Sequence, residues 1–149
     1  MTISIRVPVL ALAGLLAAAS ASFADTPADL ARDWGLLGVW RLDCTVKASR
    51  GDPDLKYVVR DGKLYHERDW GDGGDSSEII SAKLTPEGGI DLTVKFTSLG
   101  QTREFIDVKQ DEQHIHAIMS RNVDNNEYSI RDGKFVDSGR VPPMQTHCR

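Results

Sequence analysis

The chain has very little of what usually betrays a reaction. Its 149 residues hold only two cysteines, and they do not form a C-x-x-C pair, which excludes a thioredoxin-type redox motif. No serine stands in a Gly-x-Ser-x-Gly elbow, and no glycine-rich loop is built to cradle phosphate. Long runs of one charge are missing too. The 18 Lys and Arg are interspersed with 22 Asp and Glu, so there is no basic stripe for a nucleic-acid backbone and no polybasic segment for a membrane surface. The longest apolar run, Val7 to Ala19, is shorter than the roughly 20 residues that a membrane-spanning helix needs.

That apolar run has the layout of a leader. Arg6 supplies a basic start, Val7 to Ala19 the apolar centre, and Ser22-Phe23-Ala24 a small-x-small cleavage site. The expected organisation is a cleaved signal peptide over 1–24 and one exported domain over 25–149, periplasmic or secreted, with no membrane insertion after cleavage. That domain carries 17 Lys and Arg against 22 Asp and Glu, a formal net charge of −5, which favours solubility. Its length suits a single core. In an oxidising compartment an even pair of cysteines becomes a disulfide, so Cys44 and Cys148 are expected to tie the chain end to the first strand.

Thr26-Pro27-Ala28-Asp29 opens a short helix. Thr26 can cap, Pro27 suits the first turn, and Asp29 meets the positive dipole end. Leu30, Trp34 and Leu37 share one face, and Gly35 or Gly38 stops the helix. The period then changes to two. Trp40, Leu42, Cys44 and Val46 alternate over 38–46, followed by Leu55, Tyr57 and Val59, then Ile80, Ala82 and Leu84. Ile90, Leu92, Val94 and Phe96 form the clearest strand, and segments 102–108, 114–120 and 127–130 complete the set. Alternation of this kind means one buried and one solvated face, hence antiparallel sheet. Asp61-Gly62 and Asp132-Gly133 are hairpin dipeptides. They sit in an internal echo, Tyr57 to Leu64 and Tyr128 to Phe135, read as one turn solution used twice.

About eight strands in up-and-down order leave unpaired edges unless the sheet closes. The fold class is therefore all-β: an antiparallel up-and-down barrel of about eight strands with a short N-terminal helix. Leu36-Leu37-Gly38-Val39-Trp40-Arg41-Leu42 resembles the Gly-x-Trp opening of the first strand in lipocalin-like (calycin-like) barrels. The chain as a whole is similar to small exported proteobacterial proteins with that opening, from which no activity carries over. The resemblance implies that Gly38 and Trp40 close the barrel floor and that a late arginine, Arg131 or Arg140, packs on the tryptophan.

Chemistry-bearing clusters are few. His114-Ile115-His116 puts two imidazoles on one strand face without a carboxylate after them, and reads as solvated histidines rather than a metal site. Asp69 to Glu78 is rich in acids but lacks calcium-loop spacing and reads as a flexible surface loop. Asp69, Trp70, Asp72 and Asp75 are its candidate contacts, with Trp70 at the barrel mouth. His66 and Glu67 point to opposite faces. No catalytic residue, metal or cofactor is assigned. The expected function is non-enzymatic binding by a monomer, with a small apolar ligand carried inside the barrel past Leu92 and Val94. The alternative is a protein-binding inhibitor or envelope factor acting through the 69–78 loop.

Overall fold

The computed structural model describes residues 25–148; the expected leader over 1–24 lies outside the described residues. The helix α1 spans Pro27–Trp34. The Thr26 hydroxyl accepts from the Asp29 amide at 3.2 Å while the Asp29 carboxylate reaches back to Thr26, and Gly35 ends the helix. Its buried face carries Ala28, Ala31 and Trp34 rather than Leu30. Ten strands follow: β1 (Gly38–Arg41), β2 (Asp54–Arg60), β3 (Lys63–Asp69), β4 (Gly74–Leu84), β5 (Ile90–Phe96), β6 (Gln101–Asp111), β7 (His114–Asn122), β8 (Tyr128–Arg131), β9 (Lys134–Phe135) and β10 (Gln145–Cys148).

Strands β1 to β7 form a continuous antiparallel meander, and β10 closes it. On one side β10 pairs with β1 through Val39↔Cys148 and Trp40↔His147; on the other it pairs with β7 through Gln145↔Ile115 and Thr146↔His114. The closed ring thus has eight strands, as expected. The remaining two, β8 and β9, form a hairpin that pairs with the C-terminal half of β7 through Ser120↔Ile130. So β7 is shared: β10 covers its first half and β8 its second.

The two Asp-Gly turns adopt the same backbone. Asp61 and Gly62 have φ of 49° and 75°, and Asp132 and Gly133 have 51° and 71°. Positive φ at both central residues is the type I′ requirement, which accounts for the internal echo. The Cys44–Cys148 disulfide is present, with Cα atoms 5.5 Å apart.

Several expectations need correction. The first strand stops at Arg41 rather than Val46, and Cys44 lies in a turn. The Asp52 carboxylate takes the amides of Leu42 and Asp43, at 2.9 and 3.1 Å, and the Asp43 carboxylate takes that of Thr45. These side-chain acceptors offer the backbone an alternative to the ladder, leaving Leu42 and Val46 exposed. In β4 the register shifts between Ile79 and Ser81. The extra residue reverses the alternation, so Ile79 is buried and Ile80 faces out. The 69–78 stretch is no loop. It is the β3–β4 hairpin, and only residues 70–73 lie outside its strands.

One end of the barrel is filled. Trp40, Leu36, Leu64, Ile90, Leu92, Val94 and Ile115 are fully buried. Helix α1 packs there, with the Trp34 indole N–H donating to the Gly88 carbonyl at 2.9 Å and Lys109 Nζ lying 4.7 Å from the Trp34 ring centre. Gly38 and Trp40 lie together on β1 at this end. The Trp40 indole donates to the Leu36 carbonyl at 2.7 Å, and its ring stacks on His147 at 4.6 Å. His147 therefore takes the place expected of an arginine. Arg131 lies over Tyr128 instead, 4.0 Å from the ring centre. Gly38 permits the stacking, since a Cβ at this position would come within 2.2 Å of His147 Nε2 and its φ is +130°.

Candidate functional site

The other end of the barrel is not filled. A cavity of about 240 Å³ opens there, smaller than the usual 300–1,000 Å³ of drug-sized sites. Inward positions of neighbouring strands build its wall: Leu55 and Tyr57 from β2, His66 and Arg68 from β3, Phe96 from β5, Arg103, Phe105 and Asp107 from β6. Ala117 and Ser120 from β7, Ile130 from β8 and Gln145 from β10 complete it, and Leu99 in the β5–β6 turn sits at the rim. The antiparallel register sets Tyr57 opposite His66, Phe105 opposite Ser120 and Asp107 opposite Ala117.

His66 is the centre of an aromatic group. Its ring lies 5.1 Å from Tyr57, 5.7 Å from Phe96 and 6.1 Å from Phe105, within the range of favourable aromatic pairs. Burial lowers its pKa to about 4, helped by the Arg68 charge, so the imidazole is neutral at ordinary pH. Its Nδ1 is buried without a hydrogen-bond partner.

The charged side chains of the cavity differ in how they are compensated. Arg68 grips Asp75 with two hydrogen bonds, Nε to Oδ1 at 2.8 Å and Nη2 to Oδ2, and Ser98 also donates to Asp75 at 2.7 Å. The Arg68 hydrogen bond holds the Asp75 carboxyl below the usual range. Arg103 donates from Nη2 to two hydroxyls, Ser120 at 3.0 Å and Ser129 at 2.7 Å; among the described residues no carboxylate lies within ion-pair distance of it. Asp107 is buried, and burial alone pushes its carboxyl up to about 7. The same burial, with the Asp107 charge, raises the Tyr57 hydroxyl well above its ordinary value. Buried polar groups are normally partnered. Among the described residues, the Asp107 carboxyl, His66 Nδ1 and the Nε and Nη1 of Arg103 have no protein hydrogen-bond partner at the cavity wall.

This wall is mixed rather than purely apolar. Seven of the residues that line it, from Tyr57 and His66 to Ser120 and Gln145, are polar or charged. Leu92 and Val94, expected to touch a ligand, are packed in the core below it. The acidic stretch also differs from its reading. Asp69 pairs with Lys56 at 3.4 Å, Asp72 with Arg50 at 3.4 Å, and Asp75 with Arg68. Trp70 is half-buried near the mouth, with the guanidinium carbons of Arg50 and Arg68 5.3 and 5.7 Å from its ring centre. Each acid of that candidate contact set is thus already compensated by a cation. His114 bonds the Asp111 carboxylate through Nδ1 at 2.8 Å, and among the described residues no three His, Cys, Asp or Glu side chains cluster as a metal site would require.

Sequence reading singled out none of Arg68, Arg103 or Asp107. Their one signal was alternation: Arg103, Phe105 and Asp107 share a face, while the apolar Ile106 and Val108 share the other. The first of these faces turns inward. No protein-family model, no curated protein and no solved structure matches this chain, so the cavity is the feature from which its function has to be read.

Proposed function

We propose that the protein is an exported, non-enzymatic binding protein that holds a small amphipathic molecule in the open end of its barrel. The observation that carries this is the 240 Å³ cavity with the unpartnered His66 Nδ1 and the buried Asp107 carboxyl on its wall. A barrel of eight strands has room for side chains or for one small ligand, and here the two share the interior, core at one end and cavity at the other. The mixed wall replaces a purely apolar cargo with an amphipathic one, because an apolar molecule would leave Asp107, His66 and Arg103 desolvated without compensation. The lipocalin-like start belongs to this reading, supported by the Gly38-Val39-Trp40 floor and the closed meander. Export is supported by the disulfide, which forms and persists in oxidising compartments. The cavity also favours a small-molecule cargo over an envelope protein captured by the 69–78 hairpin, whose acids are already paired.

Native mass spectrometry of the protein recovered from its own compartment tests this. Ala117 lines the cavity, so Ala117→Phe fills it from the wall. The expected result is a defined added mass on the wild type that is absent from the folded variant. A bare polypeptide in both, or the same adduct on both, would overturn the proposal.

A further inference from the structure

The cavity has a chemical polarity that narrows its cargo. Arg103 and Asp107 lie on the same strand face, one position either side of Phe105. At about 3.3 Å per residue their Cα atoms are roughly 13 Å apart, so the cation and the buried carboxyl mark different ends of the space. Arg103 stands towards the rim: its neighbour in the chain, Thr102, binds Asp124 in the β7–β8 loop through its amide, and Ser129 of the β8–β9 hairpin holds its Nη2. Asp107 stands deeper, beside Tyr57.

A guanidinium has five N–H groups in a planar fork. Ser120 and Ser129 occupy Nη2 and fix the orientation of the plane. Nε and Nη1 keep their hydrogens free of any protein acceptor among the described residues. Both two-donor edges of a guanidinium include Nη2, so Nε or Nη1 donates singly to one carboxylate oxygen, in a charge-assisted hydrogen bond. The other arginine of the cavity is unavailable for this, because Asp75 already occupies it. Between Arg103 and Asp107 the wall is aromatic, formed by Phe105 with Phe96 and the neutral His66 ring. Faces of this kind suit a flat apolar body, and the volume excludes a long acyl chain.

We propose that the ligand is a compact ring-bearing carboxylate, its carboxylate gripped by Arg103 and its ring lying against Phe96 and Phe105. This rests on the cavity-binding reading above and adds the charge and shape of the cargo.

The test is a calorimetric titration of the disulfide-bonded protein with phenylacetate and with phenylacetamide, its neutral counterpart of the same shape. Wild type is expected to prefer phenylacetate at least tenfold, the scale of one charge-assisted hydrogen bond. Arg103→Met should bring the two affinities together by weakening phenylacetate alone, and Arg103→Lys, which keeps the charge but loses the orientation set by Ser120 and Ser129, should fall between. Equal affinity of wild type for both probes would overturn the carboxylate assignment. So would a preference that survives in Arg103→Met, or no binding of either probe. Equal binding that Ala117→Phe abolishes would remove the carboxylate while leaving the cavity reading intact.

Discussion

Replacing Asp107 with asparagine keeps the side chain's shape and removes its titration. Burial moves the carboxyl from 3.8 to about 7. Between those values the folded protein holds a proton that the unfolded chain has released, so stability falls as pH rises from about 4 to about 7 and is level beyond. At about 1.4 kcal/mol per pH unit, the whole effect is on the order of 4 kcal/mol. His66 works in the opposite direction. Burial lowers its pKa from 6.5 to about 4, so the unfolded chain takes up a proton that the folded one refuses, and stability rises over that interval. In the wild type the two trends oppose each other, and a pH profile of that protein alone would look deceptively flat. The difference between wild type and Asp107→Asn isolates the carboxyl. Urea unfolding at pH 5 and pH 8 should show the variant gaining about 2–3 kcal/mol on wild type between the two, a midpoint change on the order of 1–2 M at ordinary denaturant slopes. The variant alone should gain stability from pH 4 to 6.5, through His66. A wild-type-to-variant difference independent of pH would refute the reasoning, because it would mean that the Asp107 carboxyl is solvated or partnered and that the cavity lacks its deep polar end.

Two further outcomes concern the closed end of the barrel. Gly38→Ala should cost about 1–3 kcal/mol through its unfavourable φ and displace His147 from Trp40. Melting followed by tryptophan fluorescence should fall by roughly 4–12 °C, and an unchanged transition would show that the stacking does not depend on this glycine. Opening the Cys44–Cys148 bond, which spans 104 residues, with a reductant or by the double serine variant should lower stability by up to about 4–5 kcal/mol through loop entropy; equal midpoints for the oxidised and reduced proteins would contradict that.

Legibility in the sequence followed the physics of each feature. The helix start, the hairpin turns and the strand Ile90 to Phe96 depend on local chemistry: a capping hydroxyl, dipeptides suited to positive φ, and a strict period of two. Each was readable from a few adjacent residues. Strand β3 was harder, because Lys63, Glu67, Arg68 and Asp69 place charges along it, and the ion pairs that accommodate them come from neighbouring strands. The β8–β9 hairpin was announced by its turn, but its position off the ring was not. That position depends on β10 and β8 dividing β7 between them.

The fold class, the Asp-Gly reversals and the pairing of the two cysteines were legible in the residues alone, since these rest on local geometry and on there being a single partner available. Tertiary structure alone decided which face of β6 turns inward and what meets Trp40. The first depends on register across the whole ring, where the β4 and β7 irregularities shift the side-chain alternation. The second depends on closure, which carries His147 on the last strand to the ring that an arginine was expected to cover. The cavity is a product of both. Its residues come from β2, β3, β5, β6, β7, β8 and β10, and only when those strands close does a buried aspartate come to share a space with an uncompensated arginine.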